Sequence, residues 1–149
     1  MRPLLFILVS IGLLWLRSSL SKFIGGNFAA ALGETLNKTI DKNPYPLFKQ
    51  FLISLVIPNS HLFGSLVMWG ELLNGIAITA GVVLLLKQYQ VKWARLVLIG
   101  GLAGGIFLNI NFWLGLGSAS PASDSLNLLM IVIQMIGIVS LVKRLRVKA

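Results

Sequence analysis

Long apolar runs separated by short polar clusters dominate the chain. A helix rises about 1.5 Å per residue, so crossing a hydrocarbon core of about 30 Å takes about 20 mostly apolar residues. Four segments meet that length, at about 3–24, 62–86, 94–116 and 123–142. The first is the least uniform: Pro3–Leu16 is uncharged, but Arg17 and Lys22 fall in its second half. The second holds Glu71, the third has Arg95 at its entry, and the fourth has Asp124 at its start. The expected fold class is all-α, an integral membrane four-helix bundle forming a single domain over residues 1–149. The apolar run after Arg2 also suits a signal peptide, but no A-x-A site follows it and Arg17 stands where small residues belong.

About 37 residues join the first two segments, long for a small bundle. Gly25-Gly26 breaks the first helix. Phe28, Leu32, Leu36 and Ile40 then recur every four residues, with Glu34 four before Lys38, which predicts an amphipathic helix with a supporting ion pair. Asn43-Pro44-Tyr45-Pro46 stops it. Leu47–Ile57 follows, with Phe48, Phe51, Leu52, Leu55 and Val56 on one side, and Pro58-Asn59 ends it. The link is expected to form two short amphipathic helices on the outer membrane face. At 11 residues the second is too short to cross.

Basic residues give the orientation. Lys87, Lys92 and Arg95 crowd the second link, and Lys143, Arg144, Arg146 and Lys148 crowd the C-terminus, whereas Gly117–Ser123 has no Lys or Arg. The positive-inside rule then puts both termini and the second link in the cytoplasm. Lys38, Lys42 and Lys49 in the first link run against it.

Composition supports the membrane reading. Of 149 residues, 56% are hydrophobic and only 11% charged, with a mean hydropathy of +0.88. A soluble domain this small has too little interior to hide that surface. The net charge of +9 sits between and beside apolar runs rather than in one stripe, which suits topology signals and anionic headgroups, not nucleic acid. Cysteine is absent, which excludes a disulfide, a Cys-ligated metal or iron–sulfur centre, and a thiol oxidase of the disulfide-forming kind. The single His61 cannot build a His-rich metal or haem site.

Polar groups at membrane depth are costly and mark sites or structural pairs. Glu71 lies about 13 Å into its helix, with Asn74 on the same face. Arg17, Asn109, Asn111, Asn127, Trp69, Trp113 and His61 belong to the same outer half, and Gln134 is deeper. The expectation is a polar pocket walled by Trp69 and Trp113, with Arg17 and Glu71 as the ion pair and Lys22 snorkelling to the headgroups. Three readings stand: a structural pair, a ligand site, or a proton relay. Asn109 and Asn111 are two apart, so at most one lines a pocket. Gly100, Gly101, Gly104 and Gly105 form overlapping G-x-x-x-G pairs, a close-packing face for another helix, whether of a second redox subunit or of a second copy of the chain.

Several motifs together resemble the DoxX family. Trp15-Leu16-Arg17-Ser18-Ser19-Leu20-Ser21-Lys22-Phe23 resembles the end of its first helix, with Ser19 in place of a Gly. Asn43-Pro44-Tyr45-Pro46 and Val56-Ile57-Pro58-Asn59 resemble the first outer link of the DoxD-like branch. Trp69-Gly70-Glu71-Leu72-Leu73-Asn74-Gly75-Ile76-Ala77 resembles the G-E-L-x-x-G-x-A signature of the second helix. Asn111-Phe112-Trp113-Leu114-Gly115 and Ser120-Pro121 resemble the third helix and the start of the fourth, with Ser120 in place of an Asn. The resemblance implies a four-helix protein of the bacterial or archaeal inner membrane, tied to sulfur and redox metabolism. That branch resembles the membrane subunit of a thiosulfate:quinone oxidoreductase, which works with a second subunit.

The resulting expectation is a subunit or accessory of a quinone-linked redox complex, with no metal or haem. Glu71 and Arg17 would be its reacting groups, with Asn74, Trp69, Asn109, Trp113 and His61 around a quinone or small anion. An imidazole at His61 would suit proton transfer. The alternative is a non-catalytic membrane module that binds a lipid or a partner membrane protein.

Overall fold

The computed structural model describes residues 2–89 and 91–146, with side chains to residue 143. Lys148 therefore lies outside the described residues, as do the side chains of Arg144 and Arg146. The described chain is mostly helical, with six α-helices: α1 (Arg2–Gly25), α2 (Phe28–Thr39), α3 (Pro46–Phe51), α4 (Ser60–Leu86), α5 (Val91–Leu116) and α6 (Pro121–Arg146). Four of these, α1, α4, α5 and α6, are long and apolar enough to cross a membrane. Each extends past its predicted segment, because helices continue into flanking polar residues where lipid-sized apolar runs stop. Pro121 opens α6, where its missing N–H costs nothing and its fixed φ suits the first turn.

The four long helices pack in chain order, α1 on α4, α4 on α5 and α5 on α6, while α6 touches α1 only sparsely. Their shared core is apolar: Leu5, Leu8, Ile11 and Trp15 from α1, Ile78, Val82 and Leu85 from α4, Ala94, Leu98 and Leu102 from α5, Met130 and Leu141 from α6. Small residues set the helix spacing. A Cβ on Gly75 would stand 2.9 Å from the Leu16 backbone nitrogen, and one on Gly81 2.8 Å from Leu98 Cβ. The outward faces are apolar as well, with Phe6, Leu13, Leu66, Leu73, Phe107, Leu129 and Val139 all exposed. The buried polar side chains include Glu71, Asn109 and Gln134. Apolar outside with polar inside is the arrangement lipid favours.

The first link forms a second, smaller core. Leu32, Leu36 and Ile40 of α2 and its following turn meet Leu52 and Val56, with Phe63 and Leu116 from the ends of α4 and α5 packed against them. The every-four spacing in α2 thus buries the expected face, with Phe28 half-buried. The predicted helix 47–57 differs. It changes at Leu52 into a wider π turn, closed by Ile57 N–H donating to Leu52 O at 2.8 Å. The wider turn aligns Phe48, Leu52 and Val56 inward and rotates Phe51 and Leu55 outward. Asn43 then pins the link to the bundle: its Nδ2 donates to Leu114 O at 2.8 Å and its Oδ1 accepts from Tyr45 N.

On the exposed side of α2, Lys38 Nζ donates to Glu34 Oε1 at 2.6 Å. That hydrogen bond, then the lysine charge, holds the Glu34 carboxyl below the usual carboxylate range. A lowered carboxylate favours the fold above its unfolded pKa, and this help fades as pH falls through the folded one. Lys38→Ala should return Glu34 to ordinary titration, read by carboxyl 13C NMR, with the melting temperature nearly unchanged because the pair is fully solvated.

Candidate functional site

The buried positions of α1 recur at Leu5, Leu8, Gly12, Trp15 and Ser19, a spacing of three and four that continues to Lys22. On α4 the matching stripe is Gly64, Glu71, Gly75, Ile78, Val82 and Leu85. Where the two stripes meet near the link end, Lys22 and Glu71 face each other. Lys22 Nζ lies 2.7 Å from both Glu71 oxygens and 2.7 Å from Ser18 Oγ. All three ammonium protons are used, and the ammonium also sits 5.0 Å from the Phe28 ring centroid. Glu71 is 1% exposed and the Lys22 side chain 18%.

The expected Arg17–Glu71 pair is therefore replaced by Lys22–Glu71, and Lys22 does not snorkel. Arg17 is two residues past Trp15, about 200° round the helix, so it is turned away from the α1–α4 contact and is exposed.

A cleft of about 470 Å³ adjoins this pair. Its walls are Trp15, Arg17, Ser18 and Lys22 of α1, Phe112 and Asn109 of α5, and Leu126, Asn127 and Met130 of α6, with Glu71 at the side. Its origin is a divergence of α1 from α6. The two helices meet where a Cβ on Gly137 would stand 3.0 Å from Leu8 Cδ2. Toward the link end they part, leaving Leu14 and Leu126 exposed at the mouth.

At the cleft's inner wall, Asn109 Nδ2 donates to Gln134 Oε1 at 3.2 Å, and both side chains are buried. Gly105 makes room for this group: a Cβ there would stand 2.5 Å from Gln134 Nε2 and 3.1 Å from Trp15 Nε1. Neither of those two N–H groups has a hydrogen-bond partner among the described residues, although both are buried. Buried donors of this kind are rare in folded proteins.

Of the predicted site residues, Glu71, Arg17 and Asn109 line the cleft, as do Asn127 and the unpredicted Lys22 and Trp15. The rest lie elsewhere. Asn74 faces Gly104 in the α4–α5 seam. Trp69 is 56% exposed and packs edge-on to Phe23, on the other side of α4. Trp113 donates to Asp124 Oδ1 at 2.6 Å and stacks near Tyr45, tying α5 to α6 and the link. His61 is exposed at the start of α4, and Asn111 bonds back to Phe107 O on its own helix. The aromatic walls are thus Trp15 and Phe112, 6.2 Å apart at their centroids, instead of Trp69 and Trp113. Among the described residues no group of three His, Cys, Asp or Glu comes together to hold a metal ion.

Compared with family models, with curated proteins and with solved structures, the chain matches none.

Proposed function

We propose that this protein is a DoxX-like subunit or accessory of a quinone-linked, sulfur-related redox complex, and that its cleft between α1 and α6 takes the quinone. One observation carries the reading: an apolar cleft of about 470 Å³ opens between two helices that are exposed and apolar on either side of its mouth. That volume is in the usual range of ligand sites. A prenyl tail would leave through the gap beside Leu14 and Leu126, and the head would lie inward.

The inner residues fit such a head. A quinone offers carbonyl acceptors, and the indole N–H of Trp15 on the cleft wall is a donor without a partner among the described residues, as is the Gln134 amide behind Asn109. Glu71 is the carboxylate on the cleft wall, so proton uptake beside the head falls to its oxygens, with Lys22 as the neutralising neighbour. A bound quinone would supply electron exchange with a redox centre on a second subunit. That subunit would dock away from the glycine face of α5, because Gly101, Gly104 and Gly105 already face α4, α6 and α1. The basic second link and C-terminal region favour an inner-membrane protein with both termini cytoplasmic and the cleft in the outer half.

Leu126→Trp tests the reading, since a larger ring at the exposed mouth blocks the cleft without entering the core. Wild-type protein extracted in mild detergent from quinone-containing membranes should retain quinone, and the variant should retain about tenfold less, the effect of losing roughly 1.4 kcal/mol of binding. Equal retention would remove the cleft from consideration and leave the rival, a non-catalytic module. Reduction of the retained quinone by sulfide or thiosulfate, with partner proteins added, then tests the redox assignment.

A further inference from the structure

We propose that Arg17 holds the phosphate of an anionic phospholipid whose acyl chains lie along the exposed leucine face of α1, beside the mouth of the cleft. The charges of the cleft do not balance. Arg17 and Lys22 line it against the single carboxylate Glu71, whose charge is matched by Lys22, and all three Lys22 protons go to Glu71 and Ser18. Arg17 makes no hydrogen bond or ion pair with a described residue. The nearby acid on α6, Asp124, is held by the Trp113 indole N–H.

Arg17 stands eight residues before Gly25, about 12 Å down the helix. A guanidinium at that depth beside lipid needs a counter-charge. Its planar fork suits the two free oxygens of a phosphodiester. Ser18 adds to the same side: its Oγ accepts from Lys22, which leaves the hydroxyl proton to donate. The anion must also carry apolar chains, because the surface of α1 around Arg17 is the exposed apolar face of Leu13 and Leu20. A lipid phosphate meets both needs, whereas inorganic phosphate meets only the first. This site is separate from the donors beside Gly105, so it does not depend on a quinone being the inner ligand.

The test is native mass spectrometry of protein extracted from membranes containing phosphatidylglycerol, with quinone measured in the same sample. Wild-type protein should carry about one phosphatidylglycerol per chain, Arg17→Gln about tenfold less, and Arg17→Lys an amount closer to wild type. In nanodiscs, phosphatidylglycerol should raise the melting temperature of wild type above its value in phosphatidylcholine, and this gain should vanish in Arg17→Gln. Equal lipid retention in wild type and Arg17→Gln would overturn the proposal, as would equal retention of uncharged diacylglycerol. Displacement of the lipid by millimolar inorganic phosphate would also overturn it, in favour of a free-anion site. Loss of quinone with lipid retained bears on the inner site alone.

Discussion

Lys22→Met should destabilise the bundle by about 3–5 kcal/mol, the usual cost of removing one partner of a buried ion pair. Glu71 is 1% exposed and takes both of its hydrogen bonds from Lys22, so the substitution strands a carboxylate against α1. Glu71→Leu should cost a comparable amount by stranding the ammonium. The double variant Lys22→Met with Glu71→Leu should recover most of the loss, because an apolar pair of similar volume meets no desolvation penalty. In micelles free of anionic lipid, Arg17→Met should leave stability almost unchanged, since Arg17 is exposed and unpaired among the described residues. Equilibrium unfolding in mixed micelles separates these outcomes. A larger loss for Arg17→Met than for Lys22→Met would contradict the Lys22–Glu71 pairing.

Gly101→Leu and Gly100→Leu, one residue apart, should differ by about 3 kcal/mol. A Cβ on Gly101 would stand 2.9 Å from Ala77 Cβ and 3.1 Å from the Ile78 backbone nitrogen, so a larger side chain must push α4 and α5 apart. Backbone cannot rotate aside as a flexible side chain does, which sets the effect at the upper end of overpacking costs. Around Gly100 nothing lies within 4 Å, and a leucine there simply meets lipid. The same unfolding assay reads both variants. Matching losses would mean that the glycine face packs against another chain rather than against α4.

These two contrasts also mark where the sequence was readable. The four long helices and the α2 face follow from length and spacing alone, because twenty apolar residues in a row and a repeat of four have few other readings. Rotation about each long helix was much harder to read. In a soluble helix the apolar stripe shows which side faces the core, but here the lipid side is equally apolar, so Leu13 and Leu8 look alike in sequence although one is exposed and the other buried. Only small and polar positions carry the phase. Leu5, Leu8, Gly12, Trp15 and Ser19 already point to Lys22 as the next inward residue, a signal that depth alone, which favoured Arg17, does not contain. Glu71 was found because a carboxylate among apolar residues stands out at any rotation. Trp69 and Trp113 sit off the cleft for the same rotational reason, and Trp15 carries no mark in the sequence because an indole within an apolar run resembles ordinary core. Asn43 binding the end of α5 joins residues 71 positions apart, which no local pattern can show.

The most direct test of the cleft uses the absence of cysteine in the chain. Leu14→Cys and Leu126→Cys place one thiol on each lip, and a short bis-maleimide can bridge them. The protein is loaded with quinone, bridged, and mixed with vesicles carrying labelled quinone. Bridging should trap the bound quinone and stop exchange, while each single-cysteine protein treated alike should exchange freely. Unchanged exchange across a fully bridged cleft would contradict entry between α1 and α6.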